Sequence, residues 1–445
     1  MGNAPLSVLI AFSLLGCKRE IEHEAHVPVT SPVAVATHDA SDTSDAGDAS
    51  AAERGPTWYR AVVRATDGVE VPFFLGVPSP NTPGDAVFKV GGHEVRSAAT
   101  FDGKTLNVPL AVHQTAVAGT VDQDGVLRGT FSTSWRAWGA SSIPLTATPV
   151  AVPATPTLAT VGLDGIAIDL GQSHSVWRLT MADSGVAKLV VDQATPGDLA
   201  GLLFLDTGNI IYLAGNGRGD AVALTGFDGT SGYRLELTLT ADRAHARGKF
   251  FGGHRLDWRE ALTATRGAEF TLAAQPKVTR PGTKIGLPDQ PELSALERGP
   301  LVVEIAGSWC STCRNAAPFL VELYREYQPR GLHMVSLLYE FSDDRVLDAA
   351  QAEMFKKTYG VTWPVVPIPG SIDDFAEILP RGLGGINPAG FPITLFLAPD
   401  RSLVAFHVGF PAADAAAEFR RVAAEFRADV ETLLATASHP RPRRH

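Results

Sequence analysis

Two cysteines one helical turn apart are the residues of this 445-residue chain best suited to chemistry. They lie in the segment Trp309-Cys310-Ser311-Thr312-Cys313, and the chain has only one further cysteine. A Cys-x-x-Cys pair serves either as a redox dithiol or as half of a zinc site. Zinc would need distant ligands such as His333 or His407, and His407 lies in a pattern more typical of a strand. The pair therefore indicates a redox dithiol, and we expect no metal and no cofactor.

The residues around the pair predict a junction between a strand and a helix. Leu301 to Ile305 is an apolar run typical of a buried strand, and Ala306-Gly307-Ser308 supplies turn residues before apolar residues recur at helical spacing. At a helix N-terminus, unpaired backbone N–H groups and the helix dipole stabilise an anion. We therefore expect Cys310 to lose its proton more readily than a free thiol, and Cys313 to attack the sulfur of Cys310.

The remaining C-terminal sequence predicts an α/β domain over residues 300–436. Predicted strands and helices alternate, and the last two strands form a hairpin before a final helix. After the first strand, the predicted strands are His333 to Tyr339, Val365 to Ile368, Ile393 to Leu397 and Leu403 to Val408. The predicted helices are Cys310 to Gln328, Asp344 to Thr358, Ile372 to Leu379 and Ala412 to about Leu434.

Two segments before this domain, residues 56–150 and 155–268, read as short strands separated by glycine-containing turns. They look like a repeat, because Trp58-Tyr59-Arg60 is matched by Trp177-Arg178-Leu179 and, at the same offset, residues 127–131 by 246–250. Phe101-Asp102-Gly103 is matched at a larger offset by Phe227-Asp228-Gly229. We predict two tandem antiparallel β modules, each a small barrel or sandwich. Their aromatic residues are expected in the core rather than in a ligand site; among them are Trp135, Trp138 and Trp258.

The N-terminus predicts export. The apolar run Leu6 to Leu15 leads into Leu14-Leu15-Gly16-Cys17, which resembles a bacterial lipoprotein signal, although no Lys or Arg precedes it. We expect residues 1–16 to be a signal peptide and Cys17 to carry the lipid. Residues 17–55 would form a disordered spacer, 269–299 a linker and 437–445 a basic tail. The net charge of -10 argues against a nucleic-acid partner.

The C-terminal domain, from about Pro300 to Leu434, resembles the thioredoxin superfamily and, within it, the membrane-associated TlpA-like thiol-disulfide oxidoreductases. The Trp-Cys-x-x-Cys segment carries this resemblance, together with Pro318 and with Gly390-Phe391-Pro392 just before a predicted strand. The β modules also look like those that precede the redox domain in some exported TlpA-like proteins. The whole chain is thus expected to be a lipoprotein form of this family with N-terminal β modules.

The resemblance implies roles for further residues. Pro392 should be cis and face Cys310, and Trp309 and Phe391 should contact substrate. Glu304 should lie buried beneath the disulfide and accept the proton of Cys313. A carboxylate on a strand edge or at the surface is the alternative for Glu304.

These patterns predict an envelope-tethered thiol-disulfide oxidoreductase on the periplasmic side, anchored to the membrane by its N-terminal lipid. It would reduce disulfides of exported proteins and receive electrons from an upstream membrane thiol donor. Ser311-Thr312 differs from the dipeptides of well-known members, so the direction of electron flow stays open. The alternative is a binding or redox-sensing protein, in which the β modules recognise the partner and the thioredoxin-like domain only docks or senses.

Overall fold

The described strands of residues 56–267 form two closed antiparallel barrels. The structure is a computed structural model and describes residues 56–438, except 135–139, 152–164, 207, 271, 273–280, 295, 297–298, 341, 343, 371–390 and 414. All of these described residues belong to one compact unit.

The first barrel is built from strands that follow one another in the chain. They are β1 (Thr57–Arg64), β2 (Glu70–Val77), β3 (Gly84–Val90), β4 (His93–Phe101), β5 (Thr105–Leu110), β6 (Thr115–Val121), β7 (Leu127–Thr133) and β8 (Ser141–Pro149). Each strand pairs with the next, and β8 closes the barrel on β1. In β5, Leu106, Val108 and Leu110 are buried while the residues between them are exposed. This alternation places one face of the strand in the barrel core.

The second barrel repeats this arrangement. Its strands are β9 (His174–Met181), β10 (Gly185–Thr195), β11 (Asp198–Phe204), β12 (Ile210–Arg218), β13 (Ala221–Phe227), β14 (Gly232–Leu239), β15 (His245–Gly253) and β16 (Trp258–Gly267). β16 closes on β9. Trp177 and Phe250 are the largest side chains of its core.

The prediction that the two N-terminal segments are β-rich is confirmed, and both are closed barrels. The matched tryptophan segments lie in the first strand of each barrel. The match between Phe101 and Phe227 is wrong, because Phe101 ends the fourth strand of its barrel and Phe227 the fifth strand of the other. Asp102 and Asp228 each accept hydrogen bonds from backbone N–H groups two and three residues later. A shared turn chemistry therefore produced the match.

The two barrels share a core at their contact. Phe227, at the end of β13, packs among the buried residues of the first barrel. Its ring stacks on Phe73 of β2 with centroids 4.1 Å apart and meets Phe131 of β7 edge-on at 5.1 Å. The Thr225 hydroxyl adds a 3.1 Å hydrogen bond to the carbonyl of Pro72. The barrels are therefore packed together through an aromatic cluster.

The C-terminal residues form a mixed five-stranded sheet in the order β19-β18-β17-β20-β21, where β17 is Leu301–Ala306, β18 His333–Tyr339, β19 Val365–Ile368, β20 Ile393–Leu397 and β21 Leu403–Val408. β17 is central, parallel to β18 and antiparallel to β20. All six of its residues are buried, as expected for an apolar strand covered on both faces.

Helices α1 (Pro291–Ser294), α2 (Ser311–Tyr327), α3 (Arg345–Tyr359) and α4 (Ala416–Ser438) accompany the sheet. The last helix starts later than the predicted Ala412. The backbone N–H of Ala412 donates to the hydroxyl of Tyr212 in the second barrel at 2.7 Å, so this segment is held outside the helix.

Several predicted features lie outside the described residues: the signal peptide, Cys17, the spacer, Trp135, Trp138, the helix expected at Ile372 to Leu379, and the end of the basic tail. Within the part that is described, no helix is both long and apolar enough to cross a membrane.

Candidate active site

A disulfide joins Cys310 and Cys313 where β17 leads into α2, with the two Cα atoms 5.3 Å apart. Cys310 is the N-cap residue of α2, and its sulfur accepts a 3.0 Å hydrogen bond from the backbone N–H of Cys313. Cys310 keeps 6% of its surface exposed, whereas Cys313 is fully buried. Cys310 is therefore the cysteine of the pair that an external thiol or disulfide would meet first.

The Trp309 ring, next to Cys310, is positioned by a hydrogen bond to β18 and by the small size of Gly307. The indole Nε1–H donates to the carbonyl of Tyr339, at the end of β18, at 2.8 Å. A Cβ atom on Gly307 would lie 2.3 Å from the indole nitrogen, so a side chain there would displace the ring. The ring also lies 5.5 Å from that of Phe391.

The Phe391–Pro392 peptide bond is cis and immediately precedes β20. The carbonyl of Pro392 accepts a 2.8 Å hydrogen bond from the N–H of Gly409, just after β21. The Phe391 ring is buried between Trp309 and Tyr339. Phe391 and Trp309 line the same cleft as Cys310, which brings these predicted site residues together.

Glu304 lies in the middle of the central strand β17 and is fully buried, which excludes the surface position. One carboxylate oxygen accepts a 2.5 Å hydrogen bond from the Ser336 hydroxyl, which in turn accepts one from the Trp363 indole at 2.8 Å. The other oxygen has no hydrogen-bond partner among the described residues. Burial raises the pKa of Glu304 from 4.5 to about 7, although the Ser336 hydrogen bond opposes this rise.

A second buried carboxylate, Glu340, follows β18 and holds the segment that leads to the disulfide. One of its oxygens accepts from the backbone N–H of Ser308 at 2.9 Å, and the other from the Ser308 hydroxyl at 2.6 Å. Burial raises the pKa of Glu340 to about 7, and the charge of Asp348 adds to that rise. The sequence interpretation missed Glu340, although a carboxylate directly after a predicted apolar strand was a visible signal.

The first barrel contacts the segment just before the disulfide through His113. This residue lies in the 3-10 turn Ala111–His113 between β5 and β6. His113 Nδ1 lies 2.7 Å from the carbonyl of Ser308, and Nε2 lies 3.4 Å from the Tyr359 hydroxyl. Because a carbonyl only accepts, Nδ1 carries the proton and Nε2 is the acceptor. Burial and the charge of Arg314 lower the pKa of His113 to about 3, so the ring is neutral at physiological pH. No local sequence signal indicated this residue.

The second barrel contacts the first turn of α2. The guanidinium of Arg314 donates to the carbonyl of Asp228 at 3.0 Å, and the Thr312 hydroxyl donates to the side-chain oxygen of Asn209 at 3.3 Å. Arg314 lies one residue after Cys313. Both barrels therefore contact residues next to the disulfide.

Among the described residues, no group of three or more His, Cys, Asp or Glu side chains lies close enough to hold a metal ion. His407, considered above as a zinc ligand, instead lies 2.7 Å from Asp429 of α4 and packs against the Phe426 ring at 4.3 Å. His333 opens β18 at the far end from the disulfide segment.

Comparison with known proteins finds no matching protein-family model. The chain is 26% identical over 118 residues to the thiol-disulfide oxidoreductase ResA of Bacillus anthracis, covering 26% of this chain and 60% of that protein. It is 23% identical over 113 residues to ResA of Bacillus subtilis (strain 168), covering 25% of this chain and 55% of that protein. The chain thus spans only 60% and 55% of the length of these curated relatives.

Two solved structures are also similar. A thiol:disulfide interchange protein of the thioredoxin family from Chlorobium tepidum TLS shares 19% identity, with a TM-score of 0.26, over 35% of this chain and 97% of that chain. A DsbF homologue from Corynebacterium diphtheriae shares 18% identity, with a TM-score of 0.26, over 37% of this chain and 100% of that chain.

Proposed function

We propose that the chain is a thiol-disulfide oxidoreductase of the thioredoxin superfamily that acts through Cys310 and Cys313. The observation that carries this proposal is the unequal burial of the disulfide at the N-terminus of α2. One sulfur is reachable and lies where backbone N–H groups stabilise a thiolate; the other is enclosed beside it. The similarity to proteins named thiol-disulfide oxidoreductase ResA supports the same activity.

The reducing direction consists of two exchange steps. The thiolate of Cys310 attacks one sulfur of the substrate disulfide, whose S–S bond breaks and releases one substrate thiolate. Cys313 then loses its proton and attacks the Cys310 sulfur, which breaks the mixed disulfide and releases the second substrate thiolate. Two electrons pass from the protein dithiol to the substrate, and the two substrate thiolates take up protons. The protein is left as the Cys310–Cys313 disulfide, and a dithiol donor must reduce it again.

Glu304 is the proposed proton acceptor for Cys313. Its pKa of about 7 lies near physiological pH, where a carboxylate can both take up and release a proton. Its position in the strand that leads into the disulfide segment suits this role. A Glu304→Gln protein that resolves mixed disulfides at the wild-type rate, with an unchanged pH profile, would rule the role out.

The finer assignment is also a proposal. We place the chain in the TlpA-like branch, attached through a lipid on Cys17 to a membrane on the periplasmic side, with exported proteins as substrates. The apolar run before Cys17 supports the anchor, and the long stretch between Cys313 and Pro392, with the extra helix α3, supports the branch. A membrane thiol protein would supply the electrons.

Trapping of substrates tests the function. In a Cys313→Ser chain, Cys310 can still form a mixed disulfide but the resolving thiol is absent, so discrete partners should stay linked until a reductant is added. A chain with serine at both positions is the matched control and should link none. If the single variant links no partner and the wild-type chain reduces no protein disulfide such as that of insulin, the proposal fails. Partners that the double variant still holds would instead support recognition by the barrels alone.

A further inference from the structure

A cleft of about 410 Å³ lies over the disulfide, between the second barrel and the C-terminal domain. Tyr233, His254, Asp257 and Trp258 line it from the barrel, while Trp309 and Phe391 line it beside Cys310. The volume lies within the range of about 300–1,000 Å³ that is typical of ligand sites. Cys310 therefore lies in a cleft that has the second barrel on one side and the C-terminal domain on the other.

The barrel wall of the cleft is tied to the helix that carries the disulfide. Arg314 and Thr312 of α2 hydrogen-bond to residues 228 and 209 of the second barrel. Beyond them, Gly208 approaches Gly409 so closely that a Cβ on Gly409 would lie 1.8 Å from the Gly208 carbonyl oxygen. These contacts tie the barrel wall to the helix that begins beside Cys310.

Two aromatic rings of that wall are braced by the barrel core. Trp258 packs edge-on against Phe250 with centroids 4.8 Å apart, and its indole N–H donates to Glu260 at 2.8 Å. Tyr233 lies 6.3 Å from the same Phe250 ring. With Trp309 and Phe391, aromatic surface lines the cleft from both the barrel and the C-terminal domain. Such a site suits a large apolar side chain. Trp258 was expected in the core, and it is instead half-buried, with the cleft on its other side.

The charges of the cleft disfavour small anionic substrates. Burial and the nearby Arg255 lower the pKa of His254, so its ring is neutral at physiological pH, although Asp257 opposes this shift. Asp257 is exposed and contributes a carboxylate. No Lys or Arg occurs among the described residues that line the cleft. A small anionic disulfide, such as oxidised glutathione, would find no cationic partner there.

We propose that this cleft binds an extended polypeptide segment whose cysteine stands next to an aromatic or large aliphatic residue. Tyr233 and Trp258 of the second barrel are then specificity-determining residues for the disulfide exchange at Cys310. This inference rests on the proposed function and names its substrate class. The exchange itself follows the two steps given above, so the peptide disulfide is reduced and the protein dithiol is oxidised.

The test uses the full chain, reduced beforehand, in single-turnover reactions with three disulfides. Two of them are disulfide-linked dimers of a short peptide that has one cysteine. This cysteine is flanked by Phe and Leu in one peptide and by Gly and Ser in the other. The third is hydroxyethyl disulfide. The released thiol is measured by chromatography. The cleft variants are Trp258→Ala, which removes aromatic surface, and Asp257→Trp, which adds bulk at an exposed position. Asp220→Trp, at an exposed turn of the same barrel outside the cleft, is the matched control.

We expect the wild-type chain to react about tenfold faster with the apolar-flanked peptide than with the other peptide. Burying part of an aromatic surface stabilises the complex by an amount that corresponds to about this factor. Trp258→Ala should remove most of this preference. Asp257→Trp should lower the rate with either peptide about tenfold when it is compared with the rate with hydroxyethyl disulfide. Asp220→Trp should match the wild type. If both cleft variants keep the wild-type peptide rates and preference, the inference is overturned while the proposed function stands.

A binding measurement tests the cleft by itself if the wild-type chain reduces none of the disulfides and the trapping experiment has also failed. The oxidised chain is titrated with the apolar-flanked peptide carrying serine in place of cysteine, and tryptophan fluorescence is followed. Saturable binding that Asp257→Trp abolishes would support the cleft as a peptide site. Absence of binding, or binding unaffected by that variant, would overturn it.

Discussion

Replacing Glu304 by glutamine should change how the stability of this chain depends on pH. The carboxyl group is fully buried in β17, with one oxygen bonded to Ser336 and the other without a partner among the described residues. Burial therefore favours its neutral form and raises its pKa from 4.5 to about 7. A shift of this size corresponds to about 3 kcal/mol between the two protonation states.

The direction in which stability changes with pH follows from proton binding. Because the folded state holds the proton of Glu304 more tightly than the unfolded state, the contribution of this group to stability is complete below about pH 4.5. It falls as the pH rises, and it has been lost once the pH exceeds about 7. Glutamine has no such proton to lose. The unfolding free energy of Glu304→Gln should therefore rise relative to the wild type by about 3 kcal/mol between about pH 4 and pH 8.

Urea unfolding of the oxidised chain at both pH values, followed by tryptophan fluorescence, measures this difference. Comparison at each pH cancels the contribution of other groups, including the buried Glu340. Glu322→Gln, at an exposed position of α2, is the matched control and should follow the wild type at both pH values. An equal difference between Glu304→Gln and the wild type at the two pH values would refute the reasoning. It would also remove the basis for Glu304 as proton acceptor.

Two further predictions concern the barrel contact and the membrane anchor. Gly208→Ala should destabilise the chain by about 1–3 kcal/mol more than Gly171→Ala in thermal unfolding. Both glycines have positive φ, but a Cβ on Gly208 would meet the Val408 backbone at 2.7 Å, whereas one on Gly171 would meet nothing within 4 Å. If the two variants lost the same stability, the close approach of Gly208 to Val408 would impose no cost on a side chain at position 208. Cys17→Ser should move the chain from the membrane to the soluble fraction of the cell envelope, and membrane retention of that variant would contradict a lipid at Cys17.

Local patterns in the sequence were enough to predict the surroundings of the cysteine pair. The apolar run of β17, the turn at Gly307 and the helical spacing after Cys310 each act within a few residues. The structure has a strand, a turn and a helix in that order, with α2 running from Ser311 to Tyr327. The hairpin of β20 and β21 is also of this kind, since two apolar strands joined by a short turn form it.

What the sequence could not predict depends on contacts between distant residues. His113 and Ser308 are 195 positions apart, and nothing near either one indicates the other. Closure of a barrel is likewise a pairing of its first and last strands, as in β1 with β8. The Asp-Gly turns at Asp102 and Asp228 led to a different error, a match between positions that are not equivalent. The same local turn chemistry occurs at different places in the two barrels. The cleft over Cys310 is built in the same way from distant parts of the chain.

The Phe227 ring lies in the core of the first barrel although its strand belongs to the second. If the two barrels arose by duplication, they are no longer interchangeable copies. Deleting the second barrel, or moving the first into another protein by recombination, would leave a hole beside Phe73 and expose apolar surface. Separating the two barrels would therefore cost the stability that this shared aromatic packing provides.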